Sequence, residues 1–417
     1  MISNLKGKLR AMKSNSPSDK KEAVPKWDTE SEEIPDNKGG SFGGSIVSGD
    51  GGEFVWKRTV YGYEKSYGRI NLSDLRTAAF GDSQWWTRLD RDLCPEDIVF
   101  LDTETTGLAG GTGTVAFLIG LGGIEEDGLV VDQYLMRDFD EEIPMLQAVM
   151  DRLKRYSILV TFNGKSFDWP LLECRLITSR LRPMDWEDAH LDLLPVARRL
   201  WGIRLENCSL STLEEKILFQ RRIDDIPGPM IPNIYLDYLQ TRGSDEMRRV
   251  IRHNEWDIAA MAALLVHIAG LYHDPQNRGD AYELFGIAKE LERDHRIREA
   301  AACYKACIGS APHPFVLDAK KRFAYLTKRH RGPQEAMDLW ADLAGEEGSF
   351  LAFPLIEMAK CLEHREKDYP SALECTEKAI RLVGKIHGTG SERLKEELFN
   401  RRQRLMKKME RRMEQWG

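Results

Sequence analysis

The segment Ile98-Val-Phe-Leu-Asp102-Thr-Glu104-Thr-Thr-Gly107 constrains the fold more than any other part of the chain. Four apolar residues in a row predict a buried strand, and its end presents two carboxylates one residue apart. Strand side chains alternate, so Asp102 and Glu104 project to the same face and can share a metal ion. The Asp-x-Glu spacing alone says little, because it occurs at Asp28, Asp102, Asp140 and Asp185. Only at Asp102 does it stand at the end of a strand apolar enough to hold the pair rigid.

That strand opens an alternation of β-like and helical runs. Residues 98–101, 115–121, 130–136 and 158–162 predict strands, and residues 141–156, 169–181, 191–200 and 246–271 predict helices. Three strands, a helix and a further strand predict an α/β domain over 97–275, with a mixed central sheet flanked by helices. Residues 53–96 carry short aromatic and strand-like pieces and are expected to pack on that domain as an N-terminal extension. Residues 1–52 are rich in Ser, Gly, Lys, Glu and Pro, cannot offset their ordering entropy, and are expected to form a disordered tail and linker. With seven basic residues against Asp19 and Glu22 up to Lys26, that tail has a docking peptide as its alternative reading.

From 280 to 417 the pattern is wholly helical and repeats. Ala300 and Tyr304, Ala336 and Trp340, and Ala372 and Thr376 recur at 36-residue spacing, followed three residues later by Cys307, Leu343 and Ala379. Small-then-large at this interval resembles the second helix of a tetratricopeptide (TPR) unit, with Thr376 a departure from the large residue. An all-α TPR-like domain implies a protein partner.

With 417 residues, 42% apolar and 30% charged, the chain has material for two or three domains and is neither a collagen nor a rod. Ala259–Val266 is cut by His267, so no apolar stretch is expected to reach the roughly 18 residues of a membrane span. Residues 1–10 lack the apolar segment of a secretory signal, which makes a cytoplasmic location the expectation. Seven cysteines without a Cys-x-x-Cys pair suggest neither a disulfide framework nor a zinc finger. At a net charge of −7, nucleic-acid binding must come from local patches.

Two further segments carry candidate chemistry. A predicted strand ends at the Asn163-Gly164 turn, and a helix with Pro170 in its first turn follows, which puts Asp168 near a helix N-terminus. By itself Asp168 reads as a first-turn carboxylate. In Arg252-His253-Asn254-Glu255-Trp256-Asp257 the i, i+4 spacing puts His253 and Asp257 on one helix face. Polar groups opening a stretch as apolar as Ile258–Val266 need a reason.

Asp102-x-Glu104 with its trailing Thr-Thr-Gly, the Asn-Gly-x-x-Phe-Asp168 element and the late helical Asp257, in that order, resemble the three exonuclease motifs of the DEDD superfamily, whose fold is RNase H-like. Within it the chain is similar to the YprB-type exonucleases, also called mitomycin repair factor B, which join such a domain to a C-terminal TPR region. The resemblance implies a 3′–5′ exonuclease in which Asp102, Glu104, Asp168 and Asp257 hold two Mg²⁺ or Mn²⁺ ions. It also implies DNA 3′ ends as substrate, a role in DNA repair and a helicase as partner.

The family's branches carry Tyr four residues, or His five residues, before the last Asp. Here His253 stands four before Asp257, so it reads as a water-orienting general base or as a structural histidine. Two cations neutralise the charge that builds on a phosphodiester during hydrolysis, and clustered carboxylates make sense only with cations present. Oxygen ligands favour Mg²⁺ or Mn²⁺. Thr105, Gly107, Asn163 and Lys165 are the expected substrate contacts. The Gly107–Gly113 loop lacks the Lys-Ser/Thr ending of a nucleotide-binding loop and is expected to admit the substrate backbone. Asp185, Asp188, His190 and Asp192 read as caps and supports of the helix from Leu191. Arg401–Arg412, with seven basic residues, reads as a solvated helix or a phosphate contact. The rival functions are trimming of RNA 3′ ends, or a silent TPR scaffold.

Overall fold

The computed structural model describes residues 42–49, 51–78, 80–107, 113–310, 314–345, 352–384 and 389–414, the side chains of 389–391 excepted. The strands are β1 (Ser45–Gly49), β2 (Gly52–Gly62), β3 (Ser66–Tyr67), β4 (Ile70–Asn71), β5 (Ile98–Thr105), β6 (Ala116–Glu125), β7 (Gly128–Leu135), β8 (Ile158–Thr161) and β9 (His190–Asp192). Seven form one mixed sheet of order β1-β2-β7-β6-β5-β8-β9, while β3 and β4 pair as a hairpin. β2 runs antiparallel to β1 and β7, β6 to β7, and β8 runs parallel to β5 and β9.

The principal helices are α1 (Glu142–Leu153), α2 (Asp168–Thr178), α3 (Leu193–Trp201), α4 (Ile231–Thr241), α5 (Asp245–His273), α6 (Ala281–Arg293), α7 (Ile297–Gly309), α8 (Val316–Arg331), α9 (Met337–Gly345), α10 (Ala352–Cys361), α11 (Tyr369–Gly384) and α12 (Thr389–Glu414). A mixed sheet flanked by helices and followed by a helical region fits the RNase H-like domain with helices after it that the sequence leads us to expect.

The chain divides into two compact units, Met1–Arg76 with Asp102–Asp151 and Ser209–Leu264, and Thr77–Leu101 with Arg152–Cys208 and Leu265–Gly417. In the first unit the antiparallel ladder is closed by Gly128 at φ 148°, where a Cβ would stand 2.1 Å from the Tyr61 carbonyl oxygen. Only glycine fits there. Phe117 of β6 stacks on Tyr235 of α4 at 3.9 Å between ring centroids, anchoring the helix to the sheet. In the second unit Ile98, Val99 and Phe100 are wholly buried and pair with Ile158, Leu159 and Val160.

Strand β1 corrects the expected tail. The expectation of disorder over 1–52 lies outside the described residues for 1–41 and 50, but Ser45–Gly49 pairs with Gly52–Trp56. Phe42 is buried and meets the Tyr238 ring edge-on at 5.5 Å. Such a short Ser/Gly-rich strand is specified by the sheet edge it joins, a non-local cause that composition does not reveal. A second correction concerns the helix expected from Leu191. His190–Asp192 is a parallel strand, and the helix starts at Leu193 with Asp192 as its N-cap, its Oδ1 3.0 Å from the Leu194 amide. A third concerns α5, which by length and composition is long and apolar enough to cross a membrane; 78% of its most apolar window is buried inside the structure.

In the second unit α6 docks on α3. The Trp201 indole donates to Glu283 at 2.8 Å, and a Cβ at Gly286 would lie 2.7 Å from the Arg199 carbonyl oxygen. The residues at 36-residue spacing, from Ala300, Tyr304 and Cys307 to Ala372, Thr376 and Ala379, are fully buried, as are Ala336, Trp340 and Leu343. Thr376 fits where a large residue was expected because its hydroxyl donates to the Ala372 carbonyl at 2.8 Å. The basic run on α12 has a structural use: Arg401, Arg404 and Lys408 converge on buried Glu363 at 2.7–2.8 Å. Burial opposes the charged carboxylate, yet these cations hold Glu363 down at about 2.

Candidate metal centre

The end of β5 and the N-terminal half of α5 meet in the first unit. Strand alternation carries Glu104 to the helix, where its carboxylate and the side chains of His253 and Asp257 offer ligand atoms all within 4.8 Å of one another. His253 Nε2 lies 3.4 Å from Asp257 Oδ2, one helical turn on.

His253, Asn254, Glu255 and Asp257 of α5 each have a different partner. His253 Nδ1 is 2.7 Å from Asp225 Oδ1. Asn254, wholly buried, donates to Asp102 Oδ2 at 2.8 Å and accepts from Gln133 at 2.8 Å. Its side chain lies against Gly120, where a Cβ would come within 2.3 Å of the amide oxygen. Glu255 takes Lys57 at 2.7 Å, with Thr59 and Tyr61. Asp257 Oδ1 is bound by the guanidinium of Arg222.

Arg222 is only 7% exposed and also contacts Glu214 at 2.6 Å and Asp225 at 3.3 Å, with its guanidinium 5.7 Å from the Trp256 ring centroid. One fixed cation thus orients Asp257 and the carboxylate that holds His253. Glu214 is 1% exposed; burial drives its carboxyl up to about 7 although Arg222 pulls it down, and the Tyr67 hydroxyl donates to it.

Burial works against an imidazolium at His253, but Asp257, Asp225 and Glu104 outweigh it and push the ring up to about 9. In this charge environment His253 is a cation at neutral pH. It becomes a proton acceptor only when the surrounding carboxylates are neutralised.

Asp102 is engaged by Asn254, the residue after His253. Thr105 donates to the Gly107 carbonyl at 2.7 Å and so shapes the start of the loop, whose residues 108–112 lie outside the described residues. Asp168 stands in the second unit as the first residue of α2. The turn before it is pinned by Asp192, whose carboxylate accepts from the Asn163 amide at 2.8 Å and the Lys165 amide at 3.2 Å. Asn163 sits at φ 67°, a left-handed conformation Asn tolerates, and the Lys165 side chain is exposed.

Arg222, Asp225, Asn254 and Glu214 were not anticipated from the sequence. Only Asn254 had a signal, as a polar residue between two candidates. Arg222 and Asp225 lie in an aperiodic stretch whose charges look like any solvated loop.

His190, also in the second unit, is buried with Nε2 2.8 Å from Thr161 Oγ1; burial and the nearby Lys165 charge push it down to about 3. The unfolded ring titrates near 6.5, so its contribution is present above that pH and is lost as pH falls toward 3. Urea unfolding of His190→Gln is expected to show about 2 kcal/mol less loss of stability than the parent between pH 7 and pH 5. Equal losses in the two proteins would show that the ring is not held neutral.

Residues 99–269 match a family of the RNase_H superfamily. The chain is 32% identical over 292 residues to YprB of Bacillus subtilis (strain 168), covering 68% of this chain and 69% of that protein. A partial likeness, at TM-score 0.33 and 14% identity, extends to the family B DNA polymerase of the hyperthermophilic archaeon Pyrobaculum calidifontis, over 47% of this chain and 29% of the polymerase.

Proposed function

Because the chain belongs to the YprB family of RNase H-like proteins, we propose that it is a metal-dependent nuclease that removes nucleotides from the 3′ ends of DNA. The observation that carries this reading is the convergence of Glu104, His253 and Asp257 within 4.8 Å. The donor set fits a divalent cation: the two carboxylates supply charge and hard oxygens suited to Mg²⁺ or Mn²⁺, and the imidazole beside them is left for proton transfer. Divalent cations held by Glu104 and Asp257, with Asp102 contributing, would neutralise charge on the scissile phosphate and acidify the attacking water.

The chain's own residues do the rest. Arg222 occupies one oxygen of Asp257 and leaves the other facing His253. Asn254 fixes the Asp102 carboxylate. Asp225 holds His253 by Nδ1, so that Nε2 is the atom that can receive the water's proton. Asp168 stays in the catalytic set as a proposal tested by substitution: Asp168→Asn should lose cleavage.

DNA repair alongside a strand-exposing helicase, a cytoplasmic setting and a protein partner on the TPR-like helices complete the proposal. A time course on matched, end-labelled single- and double-stranded DNA and RNA, with Mg²⁺, Mn²⁺ or chelator, tests it. Mononucleotides released from DNA 3′ ends, only with metal, are expected. Faster loss of RNA would favour the RNA-trimming reading, and no cleavage in any metal would favour a scaffold.

A further inference from the structure

Phe219 is the largest side chain in its segment and is turned outward. Its neighbours Leu218 and Gln220 are buried, yet Phe219 is 52% exposed. It sits at φ 55°, ψ 33°, the left-handed cap of a helical turn over Glu214–Leu218. That position ordinarily takes Gly or Asn, and a bulky residue there is strained.

The β3–β4 hairpin holds this conformation in place. The Arg69 amide donates to the Leu218 carbonyl at 2.8 Å, and Gly68, at φ 57°, lies so close that a Cβ would stand 2.1 Å from that oxygen. The same hairpin carries the Arg69 guanidinium over the Phe219 ring, 5.4 Å from its centroid. Arg69 and Arg221 are both exposed, and each offers a cation to a phosphate backbone. Ile223, 69% exposed, extends the apolar surface. Phe219 is three residues from Arg222, which binds Asp257, so the ring's backbone lies within roughly 10 Å of the residue that orients the metal cluster.

We propose that Phe219 and Arg69 form a platform on which a nucleobase of single-stranded nucleic acid stacks beside the Glu104–His253–Asp257 cluster, an inference that rests on the nuclease reading and adds to it a substrate contact. An aromatic face accepts any base, a guanidinium adds cation–π attraction and neutralises the backbone, and together they bind single strands without reading sequence. A protein strand or helix would use the apolar surface but has no use for the stacked cation.

The test is fluorescence anisotropy of the full-length chain with fluorescein-labelled oligothymidylate, in chelator so that nothing is cut. Phe219→Ala is expected to weaken binding by roughly 5- to 150-fold, and Phe219→Trp to retain it. Arg69→Ala should weaken binding and flatten its salt dependence. Replacing single bases of the probe by abasic spacers should weaken binding to the parent at one position, and leave Phe219→Ala indifferent there, a coupling that a merely structural phenylalanine would not produce. Binding by Phe219→Ala within about twofold of the parent, or equal spacer effects in both proteins, overturns the proposal. Cleavage assayed separately in Mg²⁺ or Mn²⁺ separates the two readings: if the parent cuts no DNA in either metal the nuclease reading falls, while the stacking result in chelator stands on its own.

Discussion

Glu104→Gln is expected to cut nucleotide release from end-labelled DNA by about three orders of magnitude while leaving the fold intact. The substitution keeps size and shape and removes one negative charge from the group whose ligand atoms lie within 4.8 Å. A cation that supplies several kcal/mol of charge stabilisation loses a ligand with it, and each 1.36 kcal/mol is a factor of ten in rate. The fold should survive, because Gln keeps the volume of Glu and an amide that can still hydrogen-bond. A variant that cleaves at the parent rate would show that Glu104 does no chemistry.

Arg222→Met should destabilise the protein by about 3–5 kcal/mol in urea unfolding, because it leaves Glu214 buried without its cation. Glu214 is 1% exposed and Arg222 7%, so solvent cannot replace the lost partner. The double variant Arg222→Met, Glu214→Leu should recover most of that loss, since a well-packed apolar pair has no desolvation to offset. Its nuclease activity should remain impaired, because Asp257 and Asp225 have lost the guanidinium that orients them. A cost below about 1 kcal/mol for the single variant would mean that the buried pair does not clamp the site.

The candidate metal group was legible where position follows local periodicity. Asp102 and Glu104 share a strand face, His253 and Asp257 a helix face, and both periodicities can be read without a structure. What holds those residues could not be read. Asn254 reaches Asp102 across 152 positions, and Arg222 reaches Asp257 across 35, contacts that exist only once the sheet and α5 have packed. The same limit explains β1, whose strand character comes from the edge of β2. The basic run on α12 shows the converse: where the sequence offered a solvated helix or a phosphate contact, Arg401, Arg404 and Lys408 bind one buried glutamate, Glu363.

Calorimetric titration of Mn²⁺ into the parent, Glu104→Gln and Asp257→Asn tests the central claim without relying on turnover. Saturable binding by the parent, weakened by about 100-fold or more in each variant, is the predicted result. Equal affinity in all three proteins, or no binding by the parent, would contradict it.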